Sequence, residues 1–246
     1  MVRDGYQNGK ERYDFSPLSI SRFFMLFFIP FVAYSIGLLP SIVSFIYIWG
    51  FLDLSNPLHV LILPFILTFE FLVFILFESI VPGLFIKIFR IKCNEGEHEL
   101  SIKDKNFFNF SLHVILYRPP LVLLNLFKLL PIRMLFLRLA GLKVGKTALL
   151  PGTEVIYDPY LTEIGEQTLI GSYAKVTAHI VENKLIMKRV QVGNNCLIGA
   201  DSFIMPGAVI EDGAVVGAKS LVLKDQVIGK GKVYGGIPAK EIKKRF

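Results

Sequence analysis

Cysteine is nearly absent from this chain. Cys93 and Cys196 are the only two in 246 residues, too few for a disulfide framework, so both read as reduced thiols. Histidine is scarce as well, with four in the whole chain, and no Cys or His set stands at zinc-ligand spacing. A third absence is local: residues 23–52 carry no charged side chain, and residues 57–86 carry only Glu70 and Glu78. Each run is about thirty residues long, more than the roughly twenty that a helix needs to cross a bilayer core. These gaps argue against a disulfide-stapled secreted domain, a zinc site and a wholly water-soluble chain.

What is present in the first half follows from those runs. The polar stretch 53–56 leaves room only for a tight turn, so residues 23–90 read as a transmembrane helical hairpin. Pro30, Gly37, Pro40 and Pro64 are expected to kink its helices. A cleaved signal peptide is the alternative for the first run, but the run is too long and a second follows at once. Arg3, Lys10, Arg12 and Arg22 precede the hairpin, in a tail covering residues 1–22, while Lys87, Arg90 and Lys92 follow it. The positive-inside rule then places both ends, and the domain beyond, in the cytoplasm, on a cell-membrane anchor. The net charge of +7 gathers at the membrane boundaries and at residues 240–245. That distribution suits anionic lipid or a phosphorylated ligand better than nucleic acid. Intramembrane carboxylates are expensive, so Glu70 and Glu78 are candidates for recognising an acceptor's amine or hydroxyl, with a membrane-edge position for Glu78 as the alternative.

Residues 91–142 form a connecting region. Glu95, Glu97, His98 and Glu99 surround Gly96 in a polar stretch, 91–106, that reads as a loop or short β excursion. A solvated acidic turn accounts for it better than a metal cluster. Residues 107–118 and 120–140 read as amphipathic interfacial helices, with His113, Arg118, Lys128, Arg133 and Arg138 snorkelling from apolar faces. Pro119 and Pro120 are expected to start the second helix, Pro131 to bend it and Gly141 to end it. A third crossing by residues 121–137 is the alternative, and Lys128 and Arg133 would be costly there.

From residue 143 the pattern changes. Aliphatic residues recur every sixth position at Val192, Ile198, Ile204, Ile210, Val216, Val222 and Ile228, with Tyr234 continuing, and earlier at Val144, Leu150, Ile156, Ile164, Ile170 and Val176 after a two-residue shift at 158–160. Cys196, Ser202, Ala208, Ala214 and Ser220 hold the position four after the beat, and glycine often follows it directly, as at Gly193 and Gly199. A period of six fits neither a helix nor a simple strand. It fits a solenoid of short strands around a prism, spanning about residues 143–237. Between Val176 and Val192 the period breaks, and the extra residues read as a loop thrown out of the prism. Functional groups collect on such loops, and this one carries His179, the only histidine of the domain at 143–246.

The segments VTAH at 176–179, VQVGNNCLIG at 190–199, PG at 206–207 and GGIPAK at 235–240 resemble the hexapeptide-repeat acetyltransferases, such as those acting on galactosides and maltose. RLAGLKVG at 138–145 and DPYLTEIG at 158–165 extend the resemblance to the C-terminal membrane modules of ε-poly-lysine-synthetase-type proteins. The resemblance implies a left-handed parallel β-helix, which after the α-helical membrane part read above makes a mixed fold class. It also implies a homotrimer that binds acetyl-CoA between prisms; no metal is expected, since the sequence shows no zinc motif. His179 would be the general base, Gly199, Ala200, Gly217 and Ala218 the backbone along CoA, and Lys219, Lys224 and Lys240 the phosphate contacts. Imidazole chemistry suits the first role, since the group titrates near neutrality and accepts a proton within hydrogen-bond reach. The loop lacks the length and further histidines of the sugar acetyltransferases, and Glu182 is a candidate for orienting His179 or touching an amine acceptor. Asp158 and Glu163 are expected to pin the shifted coil. Inward-facing Cys196 is not expected to attack substrate.

The expected function is transfer of an acetyl group from acetyl-CoA to a lipid-linked or membrane-associated hydroxyl or amine. Two alternatives stand beside it, a non-enzymatic trimeric membrane scaffold and a carrier-dependent transfer or condensation module. A γ-carbonic anhydrase would need three zinc-ligating histidines, and the repeat supplies one.

Overall fold

A computed structural model describes residues 16–242, so the expectations placed on Arg3, Lys10, Arg12 and residues 243–245 lie outside the described residues. Residues 16–26, 92–111 and 141–242 belong to one compact unit, and residues 27–91 with 112–140 to a second. The helices are α1 (Pro17–Gly50), α2 (Pro57–Ile88), α3 (Lys105–Leu126) and α4 (Leu130–Leu139). Three of them, α1, α2 and α3, are long and apolar enough to cross a membrane.

The turn at 53–56 forms as expected. Asn56 caps α2 by accepting from Leu58 N at 3.0 Å, and Asp53 Oδ1 accepts from Ser55 N at 2.9 Å. The prolines at 30, 40 and 64 all sit inside continuous helices. Glu70 and Glu78 are buried in the helical unit. Ser44 donates to Glu70 Oε1 at 2.6 Å. Glu78 packs on Gly37, where an added Cβ would lie 3.3 Å from the carboxyl carbon.

The connecting helices differ from expectation. The first does not stop before Pro119; α3 runs through both prolines to Leu126, and Pro131 starts α4 rather than bending a longer helix. A proline lacks the N–H that would bond the carbonyl four residues back, so Pro119 and Pro120 release Ile115 O and Leu116 O. The Tyr34 hydroxyl lies 2.9 Å from the first and 3.4 Å from the second, and donates into that gap. Tyr34→Phe is therefore expected to lower stability by roughly 1–2 kcal/mol, read as a shift in SDS-unfolding titrations of the full chain. Nor does Arg133 snorkel. It is buried, and its Nε donates to Asn125 Oδ1 at 2.6 Å, because Asn125 on α3 offers an acceptor inside the packing.

The repeat builds three parallel sheets that wrap one column of side chains. The first face stacks Lys143–Val144, Thr162–Ile164, Val190–Val192, Val209–Ile210 and Val227–Ile228. A second stacks Leu169–Ile170, Leu197–Ile198, Val215–Val216 and Val233–Gly235, with Lys240–Glu241 added antiparallel. The third stacks Val155–Ile156, Lys175–Val176, Phe203–Ile204 and Leu221–Val222. The register places beat on beat, as in Ile170, Ile198 and Val216. The interior beat residues are buried, and Val144 and Tyr234, in the end coils, are only half-buried. Each buried aliphatic contributes about 1.5–3 kcal/mol by leaving water.

The turns obey a rule that the aliphatic beat does not announce. The third residue after a beat takes positive φ at Gln167, Tyr173, Asn195, Asp201, Gly207, Gly213, Lys219, Asp225 and Gly231. Gly, Asn and Asp are frequent there because they tolerate the left-handed region best. Glycine directly after the beat answers a different need. At Gly171 an added Cβ would come within 2.6 Å of Ala200 N in the next coil.

Carboxylates also cap these turns. Glu166 accepts from Lys146 N and Thr147 N at 3.0 and 2.9 Å, and Asp212 Oδ1 accepts from Asn194 N at 2.7 Å. The hydrogen bonds to Glu166, the Thr147 hydroxyl first, lower its pKa from 4.5 to about 2. A depressed folded pKa gives stability that is present above the unfolded value and is lost as pH falls through the folded one. The first coil is expected to loosen between pH 4.5 and about 2, read by hydrogen exchange at residues 146–147, and Glu166→Gln is expected to remove that step.

Candidate active site

The excursion from the prism is a hairpin. Strands His179–Val181 and Leu185–Met187 pair antiparallel, and Gly96–His98 from the connecting region adds a third strand beside Leu185–Met187. The acidic run is thus part of a sheet, and its charges meet cations of the hairpin. Arg189 contacts Glu95 at 3.0 Å and Glu163 at 2.7 Å, while Lys184 lies 3.6 Å from Glu97 and 3.8 Å from Glu99. His98 Nε2 lies 2.8 Å from Asn94 O. No metal-binding group of three or more His, Cys, Asp or Glu occurs among the described residues. Hydrogen bonds and charge from Lys143, with Arg189 adding to them, hold the Glu163 carboxyl below its usual range.

His179 opens the hairpin at the corner where the shifted coil lies beneath it. The two-residue insertion forms a 3₁₀ turn, Pro159–Leu161, and leaves Asp158 just before it, 1% exposed. Asp158 Oδ2 accepts from Ala178 N at 2.9 Å and lies 2.7 Å from His179 Nδ1. A carboxylate can only accept, so Nδ1 carries the proton, and in the neutral ring Nε2 keeps its lone pair. Thr177 steadies the same turn, accepting from His179 N at 3.3 Å and donating to His179 O at 2.9 Å. The side chain of His179 is 23% exposed. Phe110 and Tyr157 meet its ring edge-on, with centroids 4.9 and 6.1 Å away. The arrangement is an oriented imidazole with one free basic nitrogen beside aromatic surface.

Asp158 is the neighbour of His179 that the sequence assigned only to pinning the coil. It does pin the coil, through Ala178 N, and the same oxygen holds the imidazole of His179. The signal lay in the insertion itself, since an irregularity in one coil beneath an irregularity in the next marks a shared corner.

The other expected residues fall into groups. Gly199 with Ala200 and Gly217 with Ala218 and Lys219 stack in one corner column, where Lys219 N donates to Ala200 O at 2.8 Å. Lys219 is exposed there at φ 56°. Lys224 occupies the following corner of that coil and approaches Glu182 at 3.5 Å, which places Glu182 beside Lys224 on the exposed side of the hairpin. Lys240 pairs with Gly235 in the added strand. Glu70 and Glu78 belong to the helical unit. Both cysteines are free and buried. Burial first of all pushes the Cys93 thiol up to about 12 and the Cys196 thiol upward, so neither is poised as a nucleophile.

Residues 189–224 match the family described as bacterial transferase hexapeptide (six repeats). No curated protein matches the chain. Among solved structures, it is similar to a hexapeptide-repeat-containing acetyltransferase from Vibrio cholerae at 18% identity, covering 52% of this chain and 89% of that one, with a TM-score of 0.42. A maltose O-acetyltransferase from Clostridium difficile is similar at 21% identity, covering 53% and 87%, with a TM-score of 0.43. An N-acyltransferase from Bacillus cereus, in complex with dTDP-4-amino-4,6-dideoxyglucose and coenzyme A, is similar at 23% identity, covering 46% and 89%, with a TM-score of 0.35.

Proposed function

We propose that the protein is a membrane-anchored acyltransferase that moves an acetyl group from acetyl-CoA to a hydroxyl or amine of a lipid-linked or membrane-associated acceptor. The observation that carries this reading is the 2.7 Å contact of Asp158 with His179 Nδ1, which leaves Nε2 basic on a hairpin thrown from a hexapeptide solenoid. Nε2 takes the proton of the acceptor as its oxygen or nitrogen bonds to the thioester carbonyl carbon. The tetrahedral intermediate then expels CoA as a thiolate, and the imidazolium returns the proton to that sulfur. Backbone N–H groups near Gly199 are suited to steady the oxyanion, and Lys219, exposed in the same column, to meet a CoA phosphate, with Lys224 and Lys240 as further cations.

The assembly is a homotrimer of left-handed prisms, the hand that the hexapeptide repeat implies. An outward aliphatic ladder on the second face supports an interface. Leu149, Leu169 and Leu197 are 63%, 37% and 41% exposed and stand in register with Val215 and Val233. Such a contiguous stripe is uncommon on free protein surface. The membrane anchor is read from α1 and α2, both long and apolar enough to cross a membrane. The starts of α1 and α3, up to residues 26 and 111, belong to the same compact unit as the solenoid, which supports a single membrane side for these starts and the solenoid. Exposed Lys87, Arg90 and Lys92 support the cytoplasm as that side of the cell membrane.

The test is acetyl-CoA binding to the detergent-purified full chain, by calorimetry, for wild type and His179→Ala. Binding by both, with CoA released in a membrane-lipid extract by wild type alone, supports the acyltransferase. Absence of binding by either moves the reading to a scaffold or a carrier-dependent module.

A further inference from the structure

Beside the base, the first turns of α3 carry two aromatic rings that no hydrogen bond of the site employs. Phe107 and Phe110 are both half-exposed and lie with ring centroids 6.5 Å apart, and Phe110 continues to His179 at 4.9 Å. Three residues apart on a helix, they share one face. The rotation of that face is set from the opposite side. Phe108 is buried, and the guanidinium of Arg22 lies 5.6 Å from its ring centroid. Arg22 Nη1 donates to Ile102 O at 3.0 Å and also to Lys103 O, which ties α1 to the segment leading into α3. Asp104 Oδ1 accepts from Phe107 N at 3.0 Å and holds the start of the helix.

The chemistry of this surface is one-sided. Two phenyl rings offer no donor or acceptor to a small polar acceptor approaching Nε2 from water. They offer apolar area to a molecule with a hydrocarbon body, and that gain grows with the area covered. The same helix is long and apolar enough, by length and composition, to enter a bilayer, and a first turn at headgroup level is part of the proposal. Lys105 on that turn is exposed, and a cation at headgroup level attracts anionic lipid.

We propose that Phe107 and Phe110 are the acceptor wall of the His179 site. The apolar part of an amphipathic, bilayer-resident acceptor rests on these rings, which brings its hydroxyl or amine to Nε2, and Phe110 selects such acceptors over water-soluble ones. The proposal deepens the acyltransferase reading and rests on it.

Two experiments on the full-length protein test it. In the first, Phe110→p-benzoylphenylalanine is reconstituted into phosphatidylethanolamine–phosphatidylglycerol vesicles and irradiated. Lipid adducts at position 110, and none with the same group at Val227 on the outer prism surface, are expected. Adducts to protein alone at position 110 overturn the proposal. In the second, CoA release is followed against membrane-lipid extract as the acceptor. Phe110→Ala is expected to raise the KM for lipid about tenfold with acetyl-CoA affinity unchanged, and Phe110→Leu to restore most of it. A fall in kcat with unchanged KM would make Phe110 a positioning residue for the imidazole and overturn the wall. A wild type that binds no acetyl-CoA sinks the acyltransferase reading instead, and the crosslinking result still decides whether lipid reaches position 110.

Discussion

Replacing His179 by alanine is expected to lower the rate of CoA release by about 10²- to 10⁴-fold, the usual contribution of a positioned general base, or roughly 2.7–5.5 kcal/mol of barrier. Acetyl-CoA affinity should hardly change, because in the proposed mechanism the imidazole meets the acceptor and not the CoA column. Stability should change little too. The ring is partly exposed, and the hairpin strand from His179 to Val181 is held by backbone pairing with Leu185–Met187. Steady-state kinetics beside a thermal melt of the same preparation separate the two effects. A variant with wild-type turnover would remove His179 from the mechanism.

Asp158 is expected to have the second largest effect, and its two substitutions should part company. Asp158→Asn keeps the size of the side chain and can still accept from Ala178 N. Its amide NH₂ can also donate to Nδ1, which stabilises the tautomer carrying the proton on Nε2. That tautomer has no base to offer, so turnover is expected to fall about 10²-fold while the melting temperature stays close to wild type. Asp158→Ala removes the acceptor altogether. It leaves the buried Ala178 N–H without its partner at a stability cost of roughly 1–3 kcal/mol, in addition to the loss of turnover. If Asp158→Asn were fully active, Asp158 would be a pin of the coil and nothing more.

The solenoid was legible in the sequence because its constraint is local and repeated. Each beat residue fills the same interior, so one rule is written many times, and the register of the three sheets follows from it. The turns were less legible, since the left-handed position admits Gln167, Tyr173 and Lys219 as well as glycine. Composition marks that position only on average. The helical hairpin was legible for a related reason: a long run without charge has few other homes. Its continuation was not. Consecutive prolines ordinarily end a helix, and α3 survives Pro119 and Pro120 with a hydroxyl from Tyr34, some eighty residues earlier, donating to the released carbonyls.

The same division runs through the site. The excursion singled out His179 by breaking a period, a feature that can be counted along the chain. Its partners could not be counted. Asp158, Phe110 and Tyr157 reach the imidazole from a lower coil and from a distant helix, and contacts of that kind follow from how segments stack. Glu95 met Arg189 in the same way, turning an acidic run into the edge of a sheet. By itself, the sequence determined the apolar hairpin, the six-residue coil and the break that carries the histidine, because each expresses a periodic or compositional need of the backbone. Only the tertiary structure decided which nitrogen of His179 is held and which rings lie against the imidazole. Those depend on side chains from separate coils and a helix converging within hydrogen-bond and van der Waals range.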